Sequence, residues 1–123
     1  MSLEYEVTGY EETPITVIRG SSTIIPLELL QDELPIDLTG ASLVFTVKNK
    51  YDDSDDDAEF QIIETIHTDP VNGLSAIEIE PSDTENLNVK TFYYDLDYTP
   101  AGEDVITILR GKFIVVYDVR RGA

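Results

Sequence analysis

Pro35-Ile36-Asp37-Leu38-Thr39-Gly40-Ala41-Ser42-Leu43-Val44-Phe45-Thr46-Val47-Lys48 decides how this chain folds. Asp37 and Gly40 make a turn, after which Leu43, Phe45 and Val47 leave the backbone on one side, and Ser42, Thr46 and Lys48 on the other. Successive side chains of a strand point to opposite faces, so this spacing sets three large apolar groups against a core. Val44 breaks the alternation. Such a break fits a strand partly covered on its second face, and the stretch is predicted as an inner strand of a two-layer β protein.

The flanking sequence repeats the theme. Upstream, residues 15–19 and 23–30 are β-branched runs separated by Gly20-Ser21-Ser22, with Ile25, Leu27 and Leu29 on one face. They read as a hairpin or as a strand that changes sheets, and Pro26, which has no N–H to give a ladder, places the second run at an edge or a bulge. Downstream, residues 50–59 carry five aspartates within six positions and form a loop. Residues 60–68 resume β character around Ile62, Ile63 and Ile66, and Asn72-Gly73 signals a hairpin into 74–80, where Ile77 and Ile79 face inward. Pro81, Ser82 as cap and Glu85 three positions later predict one or two helical turns. Residues 91–99 alternate most regularly, Phe92, Tyr94, Leu96 and Tyr98 against Tyr93, Asp95 and Asp97. Residues 104–110 and 112–120 follow, with a break or bulge at Gly111, and Phe113, Val115, Tyr117 and Val119 are aligned. About eight short strands with one helical turn predict an all-β fold, an antiparallel sandwich over 15–121, preceded by a polar N-terminal arm over 1–14.

A chain of 123 residues suits one domain, and 41% hydrophobic against 27% charged residues, the apolar ones in short separated runs, is a globular balance. The 25 acidic residues outnumber 8 basic ones, for a net charge of −17. Phosphate recognition needs clustered cations, so nucleic acid and anionic membrane are excluded as expected partners. With no cysteine, disulfides, thiolate metal sites and a cysteine nucleophile are ruled out. No apolar run is long enough to cross a bilayer, and no secretion signal opens the chain, which is read as soluble.

Candidate chemistry is sparse. His67 is the one histidine, placed at a strand end, and no Gly-x-Ser-x-Gly elbow accompanies it. Asp95 with Asp97, and Glu78 with Glu80, are carboxylate pairs on a strand face at a span near what glycosidases use, but exposed strand faces are ordinarily polar. Asp52, Asp53, Asp55, Asp56 and Asp57 gather oxygens of the kind calcium takes, without the Asp-x-Asp-x-Asp-Gly spacing of a hand-type loop, and read as a mobile hydrated loop. The glycines fall singly at turns, so no phosphate cradle forms. Tyr93 and Tyr98 are candidates for a contact surface. The expectation is no catalytic residue, no cofactor and no metal site.

Three pieces in order carry a resemblance: Ile18-Arg19-Gly20; the 35–48 stretch; and Tyr94-Asp95-Leu96 followed by Ile106-Thr107-Ile108-Leu109-Arg110-Gly111-Lys112-Phe113 and Asp118-Val119-Arg120-Arg121. The arrangement resembles the N-terminal domain of tailed-phage upper baseplate proteins and related small prophage tail proteins, with Arg120 where threonine is more usual. The resemblance implies an immunoglobulin-like β-sandwich. It implies a non-enzymatic structural protein of a phage or prophage tail or baseplate, made in the host cytoplasm and carried in the virion. Its partners would be other tail proteins and copies of itself. A carbohydrate-binding or adhesion module on the same frame is the alternative reading.

Overall fold

The structure, a computed structural model, describes residues 3–7 and 11–118. Among them ten strands, one α-helical turn and two 3-10 turns (Asp55–Asp57 and Pro70–Asn72) are formed: β1 (Leu3–Glu6), β2 (Glu11–Glu12), β3 (Ile15–Ile18), β4 (Thr23–Gln31), β5 (Leu34–Pro35), β6 (Ser42–Lys48), β7 (Phe60–Glu64), β8 (Leu74–Ile79), α1 (Pro81–Thr84), β9 (Thr91–Thr99) and β10 (Ile106–Val116). They make two layers. In the smaller sheet β4 pairs with β8 and β5, and with β1; the larger runs β7-β6-β9-β10 and ends on β2 and β3, which both pair with β10. The two-layer β-sandwich expected from the sequence is the architecture found, but not the wholly antiparallel one. Its sheets are mixed, because β1 runs parallel to β4, and β2 and β3 run parallel to β10.

Alternation placed the core correctly. Leu43, Phe45 and Val47 of β6, the four even-numbered large residues 92–98 of β9, and Phe113 and Val115 of β10 are buried, facing Ile25, Leu27, Leu29, Ile77 and Ile79 of the other sheet. At the centre the Phe45 ring stacks on Tyr94 at 5.3 Å and meets Phe113 edge-on at 6.0 Å. Aromatic pairs in this range add about 1 kcal/mol each beyond area burial. The Tyr94 hydroxyl, carried into the core by its ring, donates to the Thr13 carbonyl at 2.6 Å.

That bond shows how the chain's start is fixed. Strand β2 lies against Leu109 and Arg110, and β3 against residues from Phe113 onward. Between them Thr13 crosses β10 at Gly111, where a Cβ would stand 2.4 Å from the Thr13 carbonyl oxygen. Only glycine admits this approach. The described part of the leading arm is thus sheet, β1 in one layer and β2 in the other. Gly111 interrupts nothing, since β10 is continuous; the register slips at Ile108, and both Ile108 and Leu109 turn inward. Pro26 pairs with Ala76 of β8 on one side, and on the other the described pairing of β4 with β1 runs from Leu27 onward.

Other local expectations shift. Asn72-Gly73 does turn the chain, with Gly73 in the left-handed region at φ 73°, but β7 and β8 lie in different sheets, and the only pairing across the turn is the Asp69–Leu74 bridge. The hairpin signal marks a change of sheet. In α1 the cap is Glu80, whose N–H donates to the Asp83 carboxylate at 2.8 Å, two positions earlier than the Ser82 frame. The helix lasts one turn, and its buried Thr84 hydroxyl accepts the Gly20 N–H at 2.8 Å. Tyr117 is exposed beyond the end of β10, and Val119 lies outside the described residues.

Candidate interaction face

The outward side of the larger sheet collects the remaining chemistry. Tyr93, Asp95 and Asp97 alternate with the core residues of β9 and so stand on its outer side. The register puts Lys48 and Lys112 on either side of Tyr93, and Thr46 and Arg110 on either side of Asp95. Thr46, expected to face water, is buried, and its hydroxyl accepts from the Gln61 amide at 2.9 Å.

Next to it the acidic loop folds back as a strap, and Tyr51 lines one small cavity with Thr46 and Lys48. The Lys48 ammonium holds Asp55 at 2.8 Å and donates to the Asp53 carbonyl at 2.9 Å, and the Lys50 N–H donates to the Asp53 carboxylate at 3.0 Å. The single aromatic of the strap, Tyr51, packs on Tyr93 at 4.6 Å between ring centroids, and the Arg110 guanidinium lies 4.4 Å over the Tyr51 ring. The loop is therefore exposed and acidic as expected, but anchored at both Lys48 and Tyr51. Asp55, hydrogen-bonded to Lys48, holds that ammonium above its ordinary pKa. Asp95, half-buried behind these rings, has its carboxyl pushed up by burial first and by neighbouring Asp97 second, against the pull of Lys48 and Arg110.

Beside the strap lies an open groove of about 360 Å³, lined by Tyr51, Tyr93, Pro14 and the backbone around Thr13 and Gly111, with Glu12 and Lys112 at its rim. Its lining is mostly apolar and its two rim charges cancel.

The other candidates are dispersed. His67 bridges the layers structurally: Nε2 lies 2.9 Å from the Ala41 carbonyl and Nδ1 2.8 Å from the buried Ser75 hydroxyl. A carbonyl can only accept, so Nε2 carries a proton and donates, leaving Nδ1 to accept from Ser75 in the neutral ring. Asp97 accepts from the Thr107 hydroxyl at 2.7 Å. Glu78 and Glu80 are exposed on and just after β8, in the smaller sheet. Among the described residues no three His, Asp or Glu side chains converge as metal ligands. Tyr98 is buried and belongs to the core, so of the two tyrosines named as contact candidates only Tyr93 reaches the surface. Sequence reading missed Tyr51 and Arg110, whose one signal was an isolated aromatic inside an aspartate run.

No protein-family model matches the sequence, and no curated protein does. Among solved structures, the N-terminal domain of phage TP901-1 ORF48 superposes with a TM-score of 0.58 at 11% identity, over 91% of this chain and 93% of that one. The fold is that of a phage protein domain. The resemblance drawn from the Pro-Ile-Asp-Leu-Thr-Gly turn and the Gly-x-Phe strand therefore holds at the level of the fold. At this identity the likeness speaks for backbone architecture and not for side-chain chemistry.

Proposed function

We propose that this chain is a non-enzymatic structural component of a phage or prophage tail or baseplate, acting through contacts with other tail proteins and with copies of itself. The observation that carries the reading is the extent of the superposition on a phage protein domain, which spans nearly all of both chains. The physical character of the molecule supports it. Two sheets closed on one aromatic core make a rigid body, and its groups with chemical potential are spent on internal bonds: His67 on the sheet-to-sheet bridge, Lys48 on the strap. A charge of −17 repels phosphate backbones, so the favoured partners are proteins. No helix of the described residues is long and apolar enough to cross a membrane.

The test is mass spectrometry of purified particles and of isolated tails from a host carrying this reading frame. The chain is expected in the tail fraction at fixed stoichiometry to other tail proteins. Its absence from both particles and tails overturns the reading.

A further inference from the structure

We infer that the groove beside the strap is where two copies of this chain meet in a two-fold contact. The inference rests on the structural role above and names one of its partners. The first argument is electrostatic. Two molecules of charge −17 repel over most of their surfaces, so they approach through a face where charge cancels. The lining of the groove is such a place: Glu12 and Lys112 are its charged residues and balance, Arg110 is engaged by Tyr51 and Glu12, and of the neighbouring strap's aspartates, which lie outside the lining, Asp55 is paired with Lys48.

The second argument is symmetry. A two-fold contact uses the same patch on both molecules, so that patch must complement itself. One rim cation and one rim anion do this, because Lys112 of each copy can face Glu12 of the other. Both are available: Glu12 keeps 65% of its side chain exposed and is 3.9 Å from Arg110, and Lys112 is exposed and makes no ion pair with a described residue. The third is composition. Between those charges stand Tyr51, 42% exposed, Tyr93 and Pro14, giving an aromatic centre inside a polar rim, which is how protein contacts are built. Tyr51 is already immobilised by Tyr93 and Arg110, so little side-chain freedom is lost on contact.

Sedimentation velocity on the full chain, from low micromolar to about 1 mM, tests this. A reversible dimer is expected. Tyr93→Glu should weaken it at least about tenfold, as loss of a central aromatic does, while Ile24→Glu, which adds the same charge at an exposed position of the smaller sheet, leaves it unchanged. Lys112→Glu and Glu12→Lys should each weaken it, and mixing the two variants should restore a heterodimer, since both rim pairs then join unlike charges. Thermal melts accompany each variant; should Glu12→Lys fail to fold, the comparison of Tyr93→Glu with Ile24→Glu decides. A wild-type monomer throughout, or a dimer indifferent to Tyr93→Glu, overturns the inference. A monomer that is nonetheless found in tails overturns the two-fold contact and leaves the structural role standing, whereas absence from tails removes the role whatever sedimentation shows.

Discussion

The two sides of the larger sheet hold their aromatics by different physics. On the inner side Phe45 is 1% exposed and touches Tyr94, Phe60 and Phe113, so its position follows from removing hydrocarbon from water. On the outer side Tyr51 is 42% exposed and held by one ring and one guanidinium. The first arrangement is cooperative, because moving Phe45 disturbs a close-packed cluster. The second is local, because moving Tyr51 frees the strap and leaves both layers intact. The inner side therefore sets whether the chain folds, and the outer side sets what the folded chain presents.

Paired truncations measure that difference. Phe45→Ala should lower unfolding free energy by about 3–5 kcal/mol, the range for opening a cavity at a buried aromatic, read as a large drop in urea midpoint. Tyr51→Ala should cost only about 1–2 kcal/mol, the sum expected for one exposed cation–π contact and one ring pair, while amide exchange speeds up in the strap and stays slow in β6 and β9. Equal losses for the two variants would break the comparison, since the strap would then be part of the cooperative unit.

The same contrast explains what could be read from the sequence. Strand faces were legible because burial imposes a period of two, and Phe92, Tyr94, Leu96 and Tyr98 obey it without exception. Pairing partners were not. Asn72-Gly73 has the composition of a hairpin turn, yet Gly73 is demanded by its φ and by the Leu29 carbonyl, which a Cβ would meet at 2.6 Å. The leading strand left almost no trace, because its place is fixed by residues on other elements, Gly111 making room for Thr13 and the Tyr94 hydroxyl binding its carbonyl. Nor was the interaction face legible: Lys48, Tyr93 and Lys112 come together only through the β6-β9-β10 register, and Tyr51 only through a loop that composition marked as hydrated.

The smallest effect sharpens the comparison most, since it asks whether the outer face is under electrostatic tension. Asp95 lies behind the Tyr51 and Tyr93 rings, and burial with Asp97 beside it raises its proton affinity in the folded state despite Lys48 and Arg110. A carboxyl whose folded pKa exceeds its unfolded value opposes folding while ionised, and that opposition disappears as acid protonates it in both states. Asp95→Asn should therefore melt slightly higher than wild type at neutral pH, with the gap closing on acidification toward about pH 4, where the unfolded carboxyl also takes a proton. Asp37 supplies the opposite sign within the same molecule. The Thr39 hydroxyl and N–H both donate to its carboxylate, at 2.6 and 2.9 Å, and hold its pKa down. Its contribution is present above the unfolded pKa and is lost as pH falls through the lowered folded value, so Asp37→Asn should melt lower than wild type at neutral pH, with that gap also closing in acid. Thermal melts of both variants from neutral to acid pH are enough to separate them. If Asp95→Asn instead melts lower at neutral pH, then Lys48 and Arg110 outweigh burial, and the outer face is held together by its ions and not strained by them.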